Sequence, residues 1–297
     1  MPMEIKGKYI NPFTDFGFKK LFGSEFNKEL LIDFLNQVLG DREQVQDLTY
    51  LNPEQLGNLP EDRKAIYDLY CENERGEKFI IELQHVRQEF FKDRSIFYAT
   101  FPVQSQAPKG KAWDYRLKAV YTIGILNFSF HDLSEQDRFV REVQLLDTKT
   151  GEVFYDKLTF IYLEVPRFKK QEEELETHFD KWMFVLKNLH RFQERPRKLQ
   201  ERVFTKLFAE AEIAKLNAED MRTYQESLKV YRDNQNTFDY SIKEAKRKGR
   251  EEGREEGWNE GHHAAQLEIA KQLKARGIAL VVIAEATGLP EEELEKL

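Results

Sequence analysis

The stretch Ala65-Ile66-Tyr67-Asp68-Leu69-Tyr70-Cys71-Glu72-Asn73-Glu74-Arg75-Gly76-Glu77-Lys78-Phe79-Ile80-Ile81-Glu82-Leu83-Gln84 decides how the chain folds. Apolar, aromatic and β-branched residues crowd its two ends, and its polar centre carries a glycine. It therefore predicts two strands, 65–71 and 78–84, joined as a hairpin. Gly76 suits the left-handed third position of a three-residue turn with a G1 bulge. With Glu74, Arg75 and Gly76 as the loop, Asp68 stands directly opposite Glu82 and Ile66 opposite Gln84. Opposed residues share a face with Cβ atoms about 4.5–5.5 Å apart, so Asp68, Glu82 and Gln84 converge. A two-residue Arg75-Gly76 turn pairs Asp68 with Leu83 instead and sends the two carboxylates to opposite faces.

Outward from the hairpin, further strands are expected at 117–126, 139–146 and 153–165, with a helix at 90–104. Upstream, Asn11-Pro12-Phe13-Thr14-Asp15 leads into a helix with Thr14 or Asp15 as N-cap. Phe18, Leu21, Phe22, Leu30, Leu31, Phe34 and Leu35 then form an apolar face interrupted at Gly23-Ser24, which predicts two packed helices. One mixed central sheet flanked by helices accounts for these elements, so the expected class is α/β. Beyond Pro166 the sequence turns charged and helix-favouring. Phe179, Trp182, Met183, Val185, Leu186 and Leu189 mark one amphipathic helix; Val203, Phe204, Leu207, Phe208, Ile213 and Leu216 mark others. The expected organisation is a domain over 1–240, with its core at about 1–166 and a helical cover at 167–240, and a helical extension over 241–297.

In that extension Gly249, Gly253, Gly257 and Gly261 recur every four residues and fall near one stripe of a helix. Each costs about 1 kcal/mol relative to alanine in a helix interior. Close packing against a second helix, as in a homodimer, offsets that cost. The alternative is a solvated charged linker in which neighbouring arginines offset like-charge pairs such as Glu252 and Glu256. The remaining helix, Gly277 turn and helices at 278–286 and 291–297 resemble a helix-turn-helix half. Glu291, Glu292, Glu293 and Glu295 would repel phosphate, so a small protein-contact or capping module is the expectation there.

Composition narrows the class. The 297 residues include 23 Phe and 12 Tyr against only 9 Pro, which is enough apolar surface for a folded chain. The single cysteine, Cys71, excludes an intramolecular disulfide and a zinc-finger framework. No apolar run approaches the roughly 20 residues of a membrane span, and residues 1–9 hold no apolar signal core. A cytoplasmic protein with no membrane association is expected. The 46 Lys and Arg against 53 Asp and Glu give a net charge of -7, which argues against a broadly basic nucleic-acid binder. A local basic groove and a carboxylate-rich metal site both remain compatible with it.

Two carboxylates converging between apolar strands need their repulsion neutralised. A hard divalent cation does so, since Mg²⁺ is usually held by one or two carboxylates plus waters and can activate a water beside a phosphate. The alternative is a strand edge where both acids pair with Arg63, Lys64 or Lys78 in solvent.

Asp68, thirteen intervening residues and Glu82-Leu83-Gln84 together resemble the motif of the PD-(D/E)XK nucleases in its Glu-X-Gln form. Three further features make the chain similar to the PD-(D/E)XK nuclease family transposases, the recombination-promoting nucleases. They are the front block 11–23 (Asn11 to Gly23), the segment Arg94 to Tyr98, and the glycine-repeat tail followed by Ile283-Ala284-Glu285-Ala286-Thr287-Gly288-Leu289. The resemblance implies a restriction-endonuclease-like core and metal-dependent hydrolysis of DNA phosphodiesters. Asp68 and Glu82 would hold Mg²⁺, or Mn²⁺ as a substitute, with the Leu83 carbonyl, and Gln84 would take the place of the motif lysine. Tyr67 stands where the name-giving proline would be. A neutral Gln84 can orient the attacking water but supplies no cation to lower its pKa.

Asp15, in the front block, is a further acid or a helix N-cap. Arg94 and Tyr98 lie four apart on one helix face, where the guanidinium grips phosphate or else pairs with Glu89 or Asp93. Lys19 and Lys20 are candidates for backbone phosphates, and His85 is a base or a polar strand end. Two functions follow as expectations. One is a dimeric Mg²⁺-dependent DNA endonuclease tied to recombination or mobile elements. The other is a catalytically weakened relative that binds DNA or protein through the same fold.

Overall fold

The computed structural model describes residues 7–40, 42, 44–55, 64–107, 114–130 and 138–297. They form two compact units, Met1–Gln235 and Asn236–Leu297.

The first unit starts from Asn11. Its side-chain oxygen accepts the Phe13 N–H at 2.9 Å and its carbonyl accepts the Thr14 hydroxyl at 2.8 Å. Thr14, rather than Asp15, caps helix α1 (Asp15–Phe22) by accepting the Gly17 N–H at 3.0 Å. Glycine at 17 is a packing requirement, because a Cβ there would lie 2.1 Å from the Asn11 carbonyl oxygen. The chain breaks at Gly23 and re-enters α2 (Lys28–Leu39), and Phe18, Leu21, Phe22, Leu30, Leu31, Phe34 and Leu35 are all buried, as their spacing predicts.

Next come β1 (Leu48–Tyr50), β2 (Glu54–Gln55), β3 (Ala65–Ile66), β4 (Leu69–Asn73), β5 (Lys78–Gln84), α3 (Phe91–Gln104), β6 (Val120–Leu126), β7 (Val140–Leu146) and β8 (Val153–Glu164). The main sheet has six strands in the order β1-β4-β5-β6-β8-β7. It is mixed, since β5, β6 and β8 run parallel and the other pairs antiparallel.

The hairpin uses the three-residue loop. Gly76 takes φ +80 and donates to the Asn73 carbonyl at 3.0 Å, and the register runs from Glu72↔Lys78 to Leu69↔Ile81. The expected strand 65–71 is interrupted, however. Ile66 pairs with Glu54 in a separate two-stranded sheet, not with Gln84, and Asp68 sits in a bend outside the ladder. The cause is Tyr67. A straight strand would turn Tyr67 and Tyr70 to opposite faces. Instead both rings pack together, 5.2 Å apart, in one cluster with Ile80 and Tyr98.

Past that bend the sheet alternates cleanly. Phe79, Ile81, Ile123, Ile125, Ile161 and Leu163 face α1, α2, α4 (His178–Asn188) and α5 (Arg202–Glu210) in the main core, with fully buried Trp182 at its centre. Ile80, Phe160 and Tyr162 belong to the clusters under α3. Ile213 and Leu216 fall in and beside a short 3-10 turn after α5. Helix α6 (Ala218–Ala275) then begins, and the boundary between the units falls within it. Its Tyr224 hydroxyl accepts the Asn11 N–H at 3.0 Å, and its Ser227 hydroxyl accepts the Phe16 N–H at 3.1 Å.

In the second unit, α7 (Leu280–Thr287) and α8 (Glu291–Glu295) fold onto the end of α6 through Ala270, Ile283, Leu289 and Leu294, with Gly288 at φ +72 closing the turn. These helices are shorter than the expected 278–286 and 291–297. Among the described residues a Cβ at Gly249, Gly253, Gly257 or Gly261 would meet no atom within 4 Å beyond the helix's own neighbouring backbone. Among the described residues no helix is long and apolar enough to cross a membrane.

Candidate active site

The end of β5 is where acidic groups gather. β4 leaves β5 after Leu69↔Ile81, so among the described residues the edge beyond it, at 82–84, has no strand on that side. Asp68 fills the gap: its Oδ2 accepts the Leu83 N–H at 2.6 Å. A strand residue sends its N–H and C=O to the same side, so the Leu83 carbonyl points to the same open edge. Glu82 is 8% exposed, and its Oε2 accepts the Gln84 amide at 3.2 Å. Its Oε1 is buried and has no hydrogen-bond partner among the described residues.

The electrostatics follow from that burial. Removal from water pushes the Glu82 carboxyl up to about 8, and the neighbouring Asp68 charge adds to the shift; Arg94 opposes it. Asp68 is raised in the same way, first by burial and then by Asp15, against the Leu83 N–H, Lys19 and Arg94. The two acids therefore sense each other, as the hairpin predicts, although they meet at a bend rather than as ladder partners. Of the cations in the solvent-paired alternative, Lys64 pairs with Glu54 and Lys78 with Glu72 rather than with Asp68 or Glu82. Arg63 lies outside the described residues.

Arg94 sits on α3 between Phe91 and Tyr98, its guanidinium carbon 5.9 Å and 5.5 Å from their ring centres. Among the described residues it pairs with neither Glu89 nor Asp93, and it is a cation close enough to act on both Asp68 and Glu82. Tyr98 lines the same inner surface as Glu82 and Arg94. Asp15 is largely exposed and bridges to Lys19 at 2.7 Å; Lys20 is occupied by Asp220 at 2.9 Å.

Asp15, Asp68, Leu83 and His85 line one wall of a cleft of about 390 Å³. The other wall is a face of α6 that includes Ser227 and Tyr231, and Tyr231 stacks on His85 at 4.0 Å. The Asn127 amide lies 3.0 Å from His85 Nδ1, and burial lowers the imidazole pKa. The sequence alone marks this part of α6 only as helical cover. The spacing of Tyr224, Ser227 and Tyr231 carried a helical face but nothing to place it over Asp68.

Among the described residues no group of three or more His, Cys, Asp or Glu side chains is arranged to hold a metal. The donors present nevertheless fit a divalent cation of the Mg²⁺ type, which needs only one or two carboxylates with waters. Half-buried Asp68 and buried Glu82, neither with an ion-paired cation among the described residues, and a main-chain carbonyl at the same edge make up such a set.

The chain matches the family model described as PD-(D/E)XK nuclease family transposase over residues 12–241. No curated protein and no solved structure matches it. The mixed α/β sheet and its flanking helices agree with that match, and the chain belongs to the PD-(D/E)XK nuclease family transposases.

Proposed function

We propose that this protein is a metal-dependent DNA endonuclease that hydrolyses phosphodiester bonds in recombination or mobile-element movement. The observation that carries this reading is the Asp68–Glu82 pair, half-buried Asp68 beside buried Glu82, in which the Asp68 charge helps raise the Glu82 carboxyl and no cation is ion-paired to either among the described residues. A bound Mg²⁺, or Mn²⁺ in its place, would polarise the scissile phosphate and lower the pKa of a coordinated water. Asp68, Glu82 and the Leu83 carbonyl would hold that ion. Gln84, whose amide already reaches Glu82, orients the attacking water without acting as a base. Arg94, backed by Tyr98, would receive a non-bridging phosphate oxygen, and Asp15 at the cleft mouth would serve as an additional acid.

The unit assigned to this chemistry is 1–240. The extension 241–297 would bring two copies together through its glycine stripe, so that two sites address two strands. Among the described residues a Cβ on that stripe would meet no atom within 4 Å, which supports its facing a second helix.

A second reading, a weakened relative that binds DNA or protein without cutting, is favoured by Gln84, which puts a neutral amide where a cation would assist the water. Supercoiled-plasmid cleavage in Mg²⁺, Mn²⁺ and Ca²⁺ separates the two. Wild type should nick in Mg²⁺ or Mn²⁺, and Glu82→Ala should be at least about 100-fold slower. Equal nicking by the variant would reveal a contaminant. DNA retention without cleavage in any of the ions would favour the second reading.

A further inference from the structure

Behind Glu82, on the sheet face that α3 covers, lies a small cavity of about 10 Å³ whose lining includes Glu82, Arg94, Tyr98, Thr122, Gly124 and Tyr162. Two of its lining residues each carry a buried oxygen with no hydrogen-bond partner among the described residues: Glu82 Oε1 and Thr122 Oγ1. The residues are 8% and 2% exposed. Leaving one such group unsatisfied is costly, and more so for a charged one, so two on residues that line the same small space call for a common explanation.

The sheet register supplies the geometry. Glu82 stands beside Gly124 on the parallel neighbour β6, and Thr122 stands beside Ile80, so Thr122 and Glu82 are diagonal neighbours on one face. The two oxygens do not bond each other directly. Gly124 presents no side chain between them, and a Cβ there would meet the Tyr162 ring at 2.8 Å. The Tyr162 ring therefore packs against Gly124 and helps enclose the space. At about 10 Å³ the space is at the lower limit for one water, and the two oxygens would give that water polar partners.

We propose that Thr122 is a positioning residue for Glu82, acting through a single water held between Thr122 Oγ1 and Glu82 Oε1. The link fixes the rotation of the carboxylate about its last bond. Oε1 is committed to the cavity, and Oε2, which already receives the Gln84 amide, is presented toward Asp68. The proposal rests on the metal-site reading for its consequence but not for its existence, because the water requires no metal.

The test uses Thr122→Val, which keeps the shape and removes the hydroxyl, and Thr122→Ser, which keeps the hydroxyl. High-resolution crystals of the metal-free full chain should show a water bonded to both oxygens in wild type and Thr122→Ser, and none in Thr122→Val. Calorimetric titration with Mn²⁺ should show Thr122→Val binding about 10–100-fold more weakly, with Thr122→Ser near wild type, as for other groups that orient a metal ligand. A purely structural role would lower the melting temperature without this serine rescue of affinity. A dry cavity in wild type, or Mn²⁺ affinity unchanged in Thr122→Val, overturns the proposal. Wild type that shows the water yet binds no Mn²⁺ overturns the metal reading and leaves the Thr122–water–Glu82 link standing.

Discussion

Replacing Glu82 by glutamine should flatten the pH dependence of folding stability in the metal-free protein. In the folded chain burial and the Asp68 charge push the Glu82 carboxyl from 4.5 up to about 8. Between those values the folded state binds a proton that the unfolded chain has released, so stability falls as pH rises through the window. Below pH 4.5 both states are protonated, and above about 8 both are ionised and the full cost is expressed. At 1.36 kcal/mol per pH unit the ceiling is on the order of 5 kcal/mol. The buried amide of glutamine takes back about 1–3 kcal/mol for its own unmet hydrogen bonds. Glu82→Gln should therefore be close to wild type or slightly weaker at pH 5, and about 2–4 kcal/mol more stable at pH 8.5. Urea unfolding in EDTA, followed by the fluorescence of buried Trp182, measures the difference at both pH values. Parallel pH profiles for the two proteins, or a wild type that gains on the variant as pH rises, would refute the claim that Glu82 is held out of water beside a like charge.

Other perturbations have equally definite outcomes. Gly124→Ala drives a Cβ to 2.8 Å from the Tyr162 ring and should lower stability by about 1–3 kcal/mol in thermal unfolding; an unchanged melting temperature would mean the strands are less closely apposed. Trp182→Ala empties the centre of the main core and should cost about 3–5 kcal/mol by denaturant titration. Arg94→Met should weaken DNA binding in Ca²⁺ and reduce the slope of log affinity against log salt by about one, whereas an unchanged slope would remove it from the phosphate contacts. Changing Gly249, Gly253, Gly257 and Gly261 together to alanine should raise helicity by circular dichroism, each contributing about 1 kcal/mol. If the stripe joins two copies, the same variant should sediment as a monomer while wild type sediments as a dimer.

Much of the fold was legible because local chemistry and tertiary demand agree. The range 78–84 is a strand in the sequence reading and in the structure, and Gly76 fixes its register to β4 as its left-handed turn requires. The front block shows its cap and its apolar face directly. Where the two levels part, the sequence misleads. Residues 65–71 look like one strand, but Tyr67 is drawn to the Tyr70 and Tyr98 side and breaks the alternation at Asp68. That break puts Asp68 on the open edge of β5. Thr122 was invisible for a related reason: its relation to Glu82 exists only through the parallel register of β5 and β6, which no local pattern encodes. The face of α6 over the cleft was read as cover because its spacing tells which residues point inward but not what they point at.

Crystals grown with Mn²⁺ and measured at the manganese absorption edge put the central claim to its most direct test. The account predicts one strong anomalous peak at the end of β5, within about 2.0–2.4 Å of a carboxylate oxygen from Asp68 and another from Glu82, and its disappearance in Asp68→Asn. Peaks confined to surface carboxylates, or a peak at β5 that survives the substitution undiminished, would contradict it.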